Sequence, residues 1–207
     1  MTSPTSPKQQ TPKDRLRTLH QETAYSSPWP AKTRLLMALW ELVYLFLFRW
    51  TPKPLFRWRS YLLRLFGARI EGTAFVASSA QIKMPWNLIL GNRSCIGSNV
   101  QLYNLDFITI GSRATIAQET YLCTGTHQFE SPNLPLVVGK INVGADAFVG
   151  ARAFVNPGIN IGPGAVVGAC SVVTRDIPPW TISAGNPSRV IGNRQMVRER
   201  ELTNQNL

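Results

Sequence analysis

Two histidines and three cysteines are the side chains of this 207-residue chain best suited to proton transfer or nucleophilic attack. His20 stands in a polar stretch near the start. His127 closes the run Tyr121-Leu122-Cys123-Thr124-Gly125-Thr126-His127. An imidazole titrates near neutrality, so it can take the proton of a hydroxyl as that hydroxyl attacks a carbonyl. Cys123, four positions earlier, raises the alternative of a thiolate activated by the histidine. The plainer reading of Cys123 is a small residue near a corner. Cys95, Cys123 and Cys170 are odd in number and lack paired spacing, which suits a reduced, cytosolic protein. A catalytic zinc needs three protein ligands. One histidine among residues 70–188 cannot supply them, so no metal is expected and zinc-dependent hydration is set aside.

The element that must position His127 is a repeat. Aliphatic residues recur every six positions at Ile70, Val76 and Ile82. After two extra residues they recur at Leu90, Ile96 and Leu102, and after two more at Ile110, Ile116 and Leu122. The series breaks over Gln128–Asn142 and resumes at Val143, Val149, Val155, Ile161, Val167 and Val173. Four residues after most of these stands Ala, Ser or Thr, as at Ala74, Ser94, Ala114, Thr120, Ala153 and Ser171. A period of six fits neither an amphipathic helix nor a simple alternating strand. It fits a short strand plus a corner, three times per turn of a parallel β-helix. The aliphatic residue and the small residue four on both point inward, because strand side chains alternate. Residues 70–178 therefore make about five coils, with 128–142 looped out.

Several segments resemble the hexapeptide-repeat acyltransferases, and more narrowly the colanic-acid-type O-acetyltransferases of bacterial polysaccharide synthesis. They are Trp58-Arg59, Leu65-Phe66-Gly67-Ala68, Pro85-Trp86-Asn87-Leu88, Leu102-Tyr103-Asn104-Leu105, the run ending at His127, and Gly185-Asn186-Pro187. The resemblance spans roughly residues 35–194. It implies a mainly β fold with a left-handed β-helix, acetyl-CoA as co-substrate, direct transfer without an acyl-enzyme, and a homotrimer with sites between protomers. His127 is then the general base toward a sugar hydroxyl. An amino-sugar N-acetyltransferase would use the same histidine and coenzyme, and a non-enzymatic membrane-associated scaffold is the alternative of another class.

Acceptor contacts are expected from the coil stacked before His127: Asn99, Tyr103, Asn104 and Asp106, with Glu130 from the loop. Asn104 and Asp106 are placed either to orient the imidazole or bind sugar hydroxyls, or simply to bond a corner. Phe148 occupies a position where related acetyltransferases often carry Trp, and is expected to wall the thioester site. Pantetheine needs backbone groups and small side chains, which Gly150, Ala151, Gly168 and Ala169 offer. The coenzyme's phosphates need cations, for which Thr174-Arg175, Arg189 and Arg194 are candidates.

Charge is uneven. Of the net +11, residues 31–69 carry +7 (eight Lys or Arg against one acid), while residues 70–188 are neutral. The basic charge therefore belongs to the segment before the repeat, and no nucleic-acid-binding motif accompanies it. Residues 1–30 read as a disordered tail, with no signal peptide. Leu35 to Phe48 reads as an apolar helix, too short for a span, and Leu55 to Phe66 as a second, basic one. Trp40, Tyr44, Trp50 and Trp58 with Arg49, Lys53, Arg57, Arg59 and Arg64 look like an interfacial belt. Residues 31–69 are expected to cap the solenoid, with peripheral contact at the inner face of the membrane through residues 31–66. Residues 179–207 form a C-terminal extension.

Overall fold

The computed structural model describes residues 11–21 and 26–196. The expected tail at 1–10 and 22–25 and the end of the extension at 197–207 lie outside the described residues. Short parallel strands wind a three-sided prism, a left-handed β-helix. Its first face stacks Arg69–Ile70, Leu88–Leu90, Ile108–Ile110, Ile141–Val143 and Asn160–Ile161. The second carries Phe75–Val76 through Val166–Val167 and Thr181–Ala184, and ends on Arg189–Asn193, which folds back antiparallel on Thr181–Ala184 as a terminal hairpin; the third runs from Gln81–Ile82 to Val172–Val173. Five coils are complete. A partial sixth begins where Ile177 bridges Ile161, so the strands continue past residue 178.

The six-residue period is the core. Fourteen of the fifteen aliphatic positions are buried, and Ile70, at the open end, is half-buried. The small residues four on, such as Ala74, Ser94 and Ala153, are buried too, because a larger side chain would not fit a prism this narrow. Each fully buried aliphatic side chain stabilises the fold by about 1.5–3 kcal/mol. Eight residues at coil corners, Arg93, Asn99, Arg113 and Glu119 among them, adopt left-handed backbone with φ near +60°. There the corner geometry overrides the steric preference of an L-residue.

Both helices cap the open end. The first, α1, spans Ala31–Val43 and continues as a π-helical turn, Tyr44–Phe48; the second, α2, spans Phe56–Leu65. Trp40, Phe48, Leu63 and Phe66 close the first coil. Two members of the expected belt prove to be interior. Trp40 is buried and donates its indole N–H to the Ile82 carbonyl at 2.7 Å. Arg59 is fully buried, its guanidinium donating to the carbonyls of Val76 (2.7 Å) and Pro52 (2.9 Å) and to the Thr51 hydroxyl (2.9 Å). A buried guanidinium is tolerated because carbonyl oxygens surround it.

Two boundaries differ from the sequence reading. The excursion begins at Gly125 rather than Gln128, and Ile141 is already back in the coil, pairing Ile108. Residues 11–21 are not a free tail. Arg17–Thr18 adds a strand to the excursion, and Arg15 reaches the Gly158 carbonyl and the Asp176 carboxylate.

Candidate active site

The third coil leaves the prism at Thr124. That residue is buried, accepting the Asp106 amide at 3.0 Å and donating to the Tyr103 carbonyl at 2.8 Å. Gly125–His127 then runs outward and pairs antiparallel with Leu136–Val138. Thr126, four residues after Leu122 and so expected by the repeat to point inward, instead pairs Val137 in this hairpin outside the prism. Arg17–Thr18 pairs the other edge of Leu136–Val138, so His127 rides on an edge strand of a three-stranded sheet.

His127 is exposed, and its Nδ1 lies 2.7 Å from the Leu134 carbonyl oxygen. A carbonyl only accepts, so Nδ1 is the donor. In the neutral ring Nε2 is then the unprotonated nitrogen with a free lone pair. The Leu134 backbone that presents this carbonyl has φ +43°, and it is the one left-handed non-glycine outside the coil corners among the described residues. For a γ-branched residue that conformation costs about 1–2 kcal/mol, which the surrounding turn sustains: Leu134 donates its amide to Ser131 O at 3.0 Å, and Gln128 donates to Pro135 O at 3.1 Å. Leu134 was missed as a contributor because it acts through its main chain. Ser131-Pro132-Asn133-Leu134-Pro135 does carry a turn signature.

No family model matches the chain. Among curated proteins, it is 42% identical over 156 residues to the colanic acid biosynthesis acetyltransferase WcaF of Escherichia coli (strain K12), covering 75% of this chain and 86% of the relative. The chain belongs to the colanic-acid-type hexapeptide-repeat acetyltransferases. Solved structures show the same fold. A maltose O-acetyltransferase from Clostridium difficile 630 superposes with a TM-score of 0.73 at 24% identity, over 81% of this chain and 90% of that one. A hexapeptide-repeat acetyltransferase from Vibrio cholerae, complexed with acetyl coenzyme A, gives 0.75 at 22%, over 83% and 94%.

In this acetyltransferase the expected acceptor residues divide. Tyr103 does meet the hairpin: a Cβ on Gly125 would stand 3.2 Å from its ring and 2.9 Å from the Leu105 side chain, so a larger residue there would have to push both aside. Tyr103 continues outward into a column with Tyr121 and Phe154, centroids 6.3 and 5.1 Å apart. Burial, foremost, pushes the Tyr121 phenol up to about 12. Glu130 stands exposed in the turn beyond His127. Asn104 is a correction. Its side chain is buried, Oδ1 accepting the amides of Lys83 and Met84 at 3.1 and 2.9 Å and Nδ2 donating to the Met84 carbonyl at 2.5 Å. Fully buried, it presents no atom to a sugar. Asp106 is another: buried, it faces Arg17 Nε at 3.2 Å and accepts the Phe107 amide at 2.8 Å, leaving the imidazole to Leu134. Asn99 and Phe148 lie elsewhere within one chain. Asn99 sits at the corner where the second face meets the third, and Phe148 on the second face, whereas His127 leaves from the corner beyond the third.

The expected coenzyme residues divide as well. Gly150 answers to stacking, since a Cβ there would lie 2.6 Å from the Ala169 nitrogen and its amide already bonds Val167 O at 2.8 Å. Gly168 likewise bonds Ser183 O at 2.7 Å. Ala151 and Ala169 remain at the outer corner, Ala169 exposed. Thr174 and Arg175 stand on the corner line of His127, two coils further on, with Arg175 exposed. Arg189 is exposed. Arg194 is engaged, donating to the carbonyls of Asp146 (2.7 Å) and Gly164 (3.0 Å) and so tying down the terminal hairpin. Cys123 is buried, its thiol donating to the Gly125 carbonyl at 3.1 Å, and burial pushes its pKa up. A protonated, enclosed thiol is a poor nucleophile. Among the described residues no three of His, Cys, Asp or Glu gather as metal ligands.

Proposed function

We propose that this acetyltransferase moves the acetyl group of acetyl-CoA to a hydroxyl of a sugar or polysaccharide precursor, with His127 as general base. The observation that carries the reading is the His127–Leu134 hydrogen bond, which fixes the tautomer and leaves Nε2 as the acceptor. Nε2 takes the acceptor proton as the hydroxyl oxygen bonds to the thioester carbon. The tetrahedral oxyanion needs donors, which backbone N–H groups supply. Collapse breaks the carbon–sulfur bond, and the imidazolium returns its proton to the departing thiolate. The names of the relatives support a sugar hydroxyl as acceptor: colanic acid biosynthesis for one, maltose O-acetylation for another. Acetyl coenzyme A in the Vibrio cholerae complex supports the donor.

The enzyme works as a homotrimer. Asn99, Phe148, Ala151 and Ala169 line one corner region of the prism and His127 another, and cyclic packing of parallel prisms brings two such corners together between protomers. The place of action is the cytoplasm, with residues 31–66 in peripheral contact with the inner face of the membrane.

The test is thiol release from acetyl-CoA with maltose, methyl galactoside or glucosamine as acceptor. The reading expects an acetyl product that hydroxylamine cleaves, as it does esters. A hydroxylamine-resistant amide on glucosamine alone would move the reaction to amino groups, and equal turnover by His127→Ala would remove the general base.

A further inference from the structure

The cap helix α1 has two apolar sides. One side faces the solenoid through Leu36, Trp40, Val43, Tyr44 and Phe48. The other carries Leu35, Leu39, Leu42 and Phe46, at spacings of four, three and four, which is one continuous stripe on a helix. These outer side chains are between 49% and 71% exposed. On α2, Trp58, Tyr61 and Leu65 repeat the pattern, all exposed, while Leu62, Leu63 and Arg59 turn inward. The two stripes meet, since the Trp58 indole donates to the Leu47 carbonyl at 3.0 Å and its ring stacks on Tyr61 at 5.7 Å. Trp50, 74% exposed, extends the surface beside Arg49, whose guanidinium lies 5.6 Å from its ring. A contiguous apolar surface of this kind marks an interaction site.

Its rim decides the partner. Lys32, Arg34, Arg49, Lys53 and Arg57 are all exposed around it. Glu41, the one acid of residues 31–69, is paired with Lys83 of the first coil at 2.6 Å. A second copy of this face would meet like charge with like charge. An anionic lipid surface offers apolar depth and negative headgroups together. Among the described residues no helix is long and apolar enough to cross a membrane, and the thirteen residues of α1 with the five of its π-helical continuation reach at most about 27 Å against a hydrocarbon core of about 30 Å. We infer that the outer face of α1 and α2 lies flat on an anionic bilayer, inserting the Leu35–Phe46 stripe with Trp50 and Trp58 at headgroup level. This gives the membrane contact read above a defined surface and lipid charge, and it stands apart from the acetyl transfer.

Full-length protein is sedimented with vesicles of phosphatidylcholine alone and of equal parts phosphatidylcholine and phosphatidylglycerol, at low and high salt. It should pellet with the mixed vesicles at low salt, leave them at high salt, and shift its tryptophan emission to the blue on binding. Leu39→Glu with Phe46→Glu should abolish pelleting. Arg49→Ala with Lys53→Ala should weaken it roughly twenty-five-fold, about fivefold per cation, and this pair keeps the test standing if the glutamate pair misfolds. Failure of the full-length protein to bind mixed vesicles at low salt overturns the inference. So does equal binding to both vesicles, or a lipid-free assembly that the glutamate pair splits, which would make a second copy the occupant. No arm uses acetyl-CoA, so a negative result leaves the enzymatic reading untouched.

Discussion

The side-chain oxygen of Gln21 accepts the backbone amide of Leu136 at 2.8 Å, across 115 positions of sequence. Leu19 donates its own amide to the Leu136 carbonyl at 2.8 Å, so both polar groups of that residue are held from the amino-terminal segment. Leu136 pairs His127 across the hairpin. The start of the chain thus steadies the strand opposite the imidazole. Replacing Arg17 and Gln21 together by alanine should lower kcat by about tenfold, because small misplacements of a reacting group are expensive. Faster amide exchange confined to residues 125–138, with an unchanged circular dichroism spectrum, is the accompanying sign.

His127→Ala should lower kcat by about 10²–10⁴, the usual worth of a general base, with the KM for acetyl-CoA nearly unchanged. His20 is exposed between Leu19 and Gln21, but their bonds to Leu136 use the Leu19 main chain and the Gln21 side chain, so alanine at position 20 should be tolerated without loss. Steady-state rates of both variants with one acceptor decide the point.

Cys123 should prove dispensable. Burial holds its thiol pKa above the ordinary value, so it stays protonated at neutral pH. Iodoacetamide should label the exposed Cys170 first, as read by peptide mass, and Cys123→Ala should keep turnover within about threefold, since no proton or acyl group passes through it.

Asn104→Ala separates a structural role from a sugar-binding one. The Met84 amide of the preceding coil loses its acceptor inside the protein, while the Lys83 amide keeps the Leu102 carbonyl at 3.1 Å. Stability should fall by about 1–3 kcal/mol, the usual cost of one orphaned buried group. Urea denaturation measures this. The acceptor KM of the folded enzyme should stay put; a raised KM at unchanged stability would return Asn104 to the acceptor site.

The fold was legible because each coil contacts only its neighbours, so a local period carries the whole architecture. His127 was legible for a related reason: it stands where the period fails. Less was readable where the answer depends on position within a coil. Asn99 and Asn104 are five residues apart, yet one is exposed at one corner and the other is buried beyond the next. Arg59 and Arg57 differ in the same way on α2, where phase along the helix puts one against the carbonyls of the cap and leaves the other outside. The strand at Arg17–Thr18 left no trace in composition, since two residues of a polar segment are defined only by the distant edge they join.

Strand partners are twenty residues apart before the excursion (Gln81 and Gln101), thirty-three across it (Tyr121 and Phe154), and eighteen after it (Phe154 and Val172). The stack above and below the hairpin keeps its register whatever the intervening count. The tip of the hairpin can gain or lose residues without any coil having to re-pair. Lineages of this scaffold can therefore exchange residues 129–133 as a cassette, altering what is presented beside the imidazole while Leu134 keeps its carbonyl on the ring and the rest of the gene stays under the constraint of stacking. For the engineer, the same freedom makes that turn the place to graft new acceptor preference.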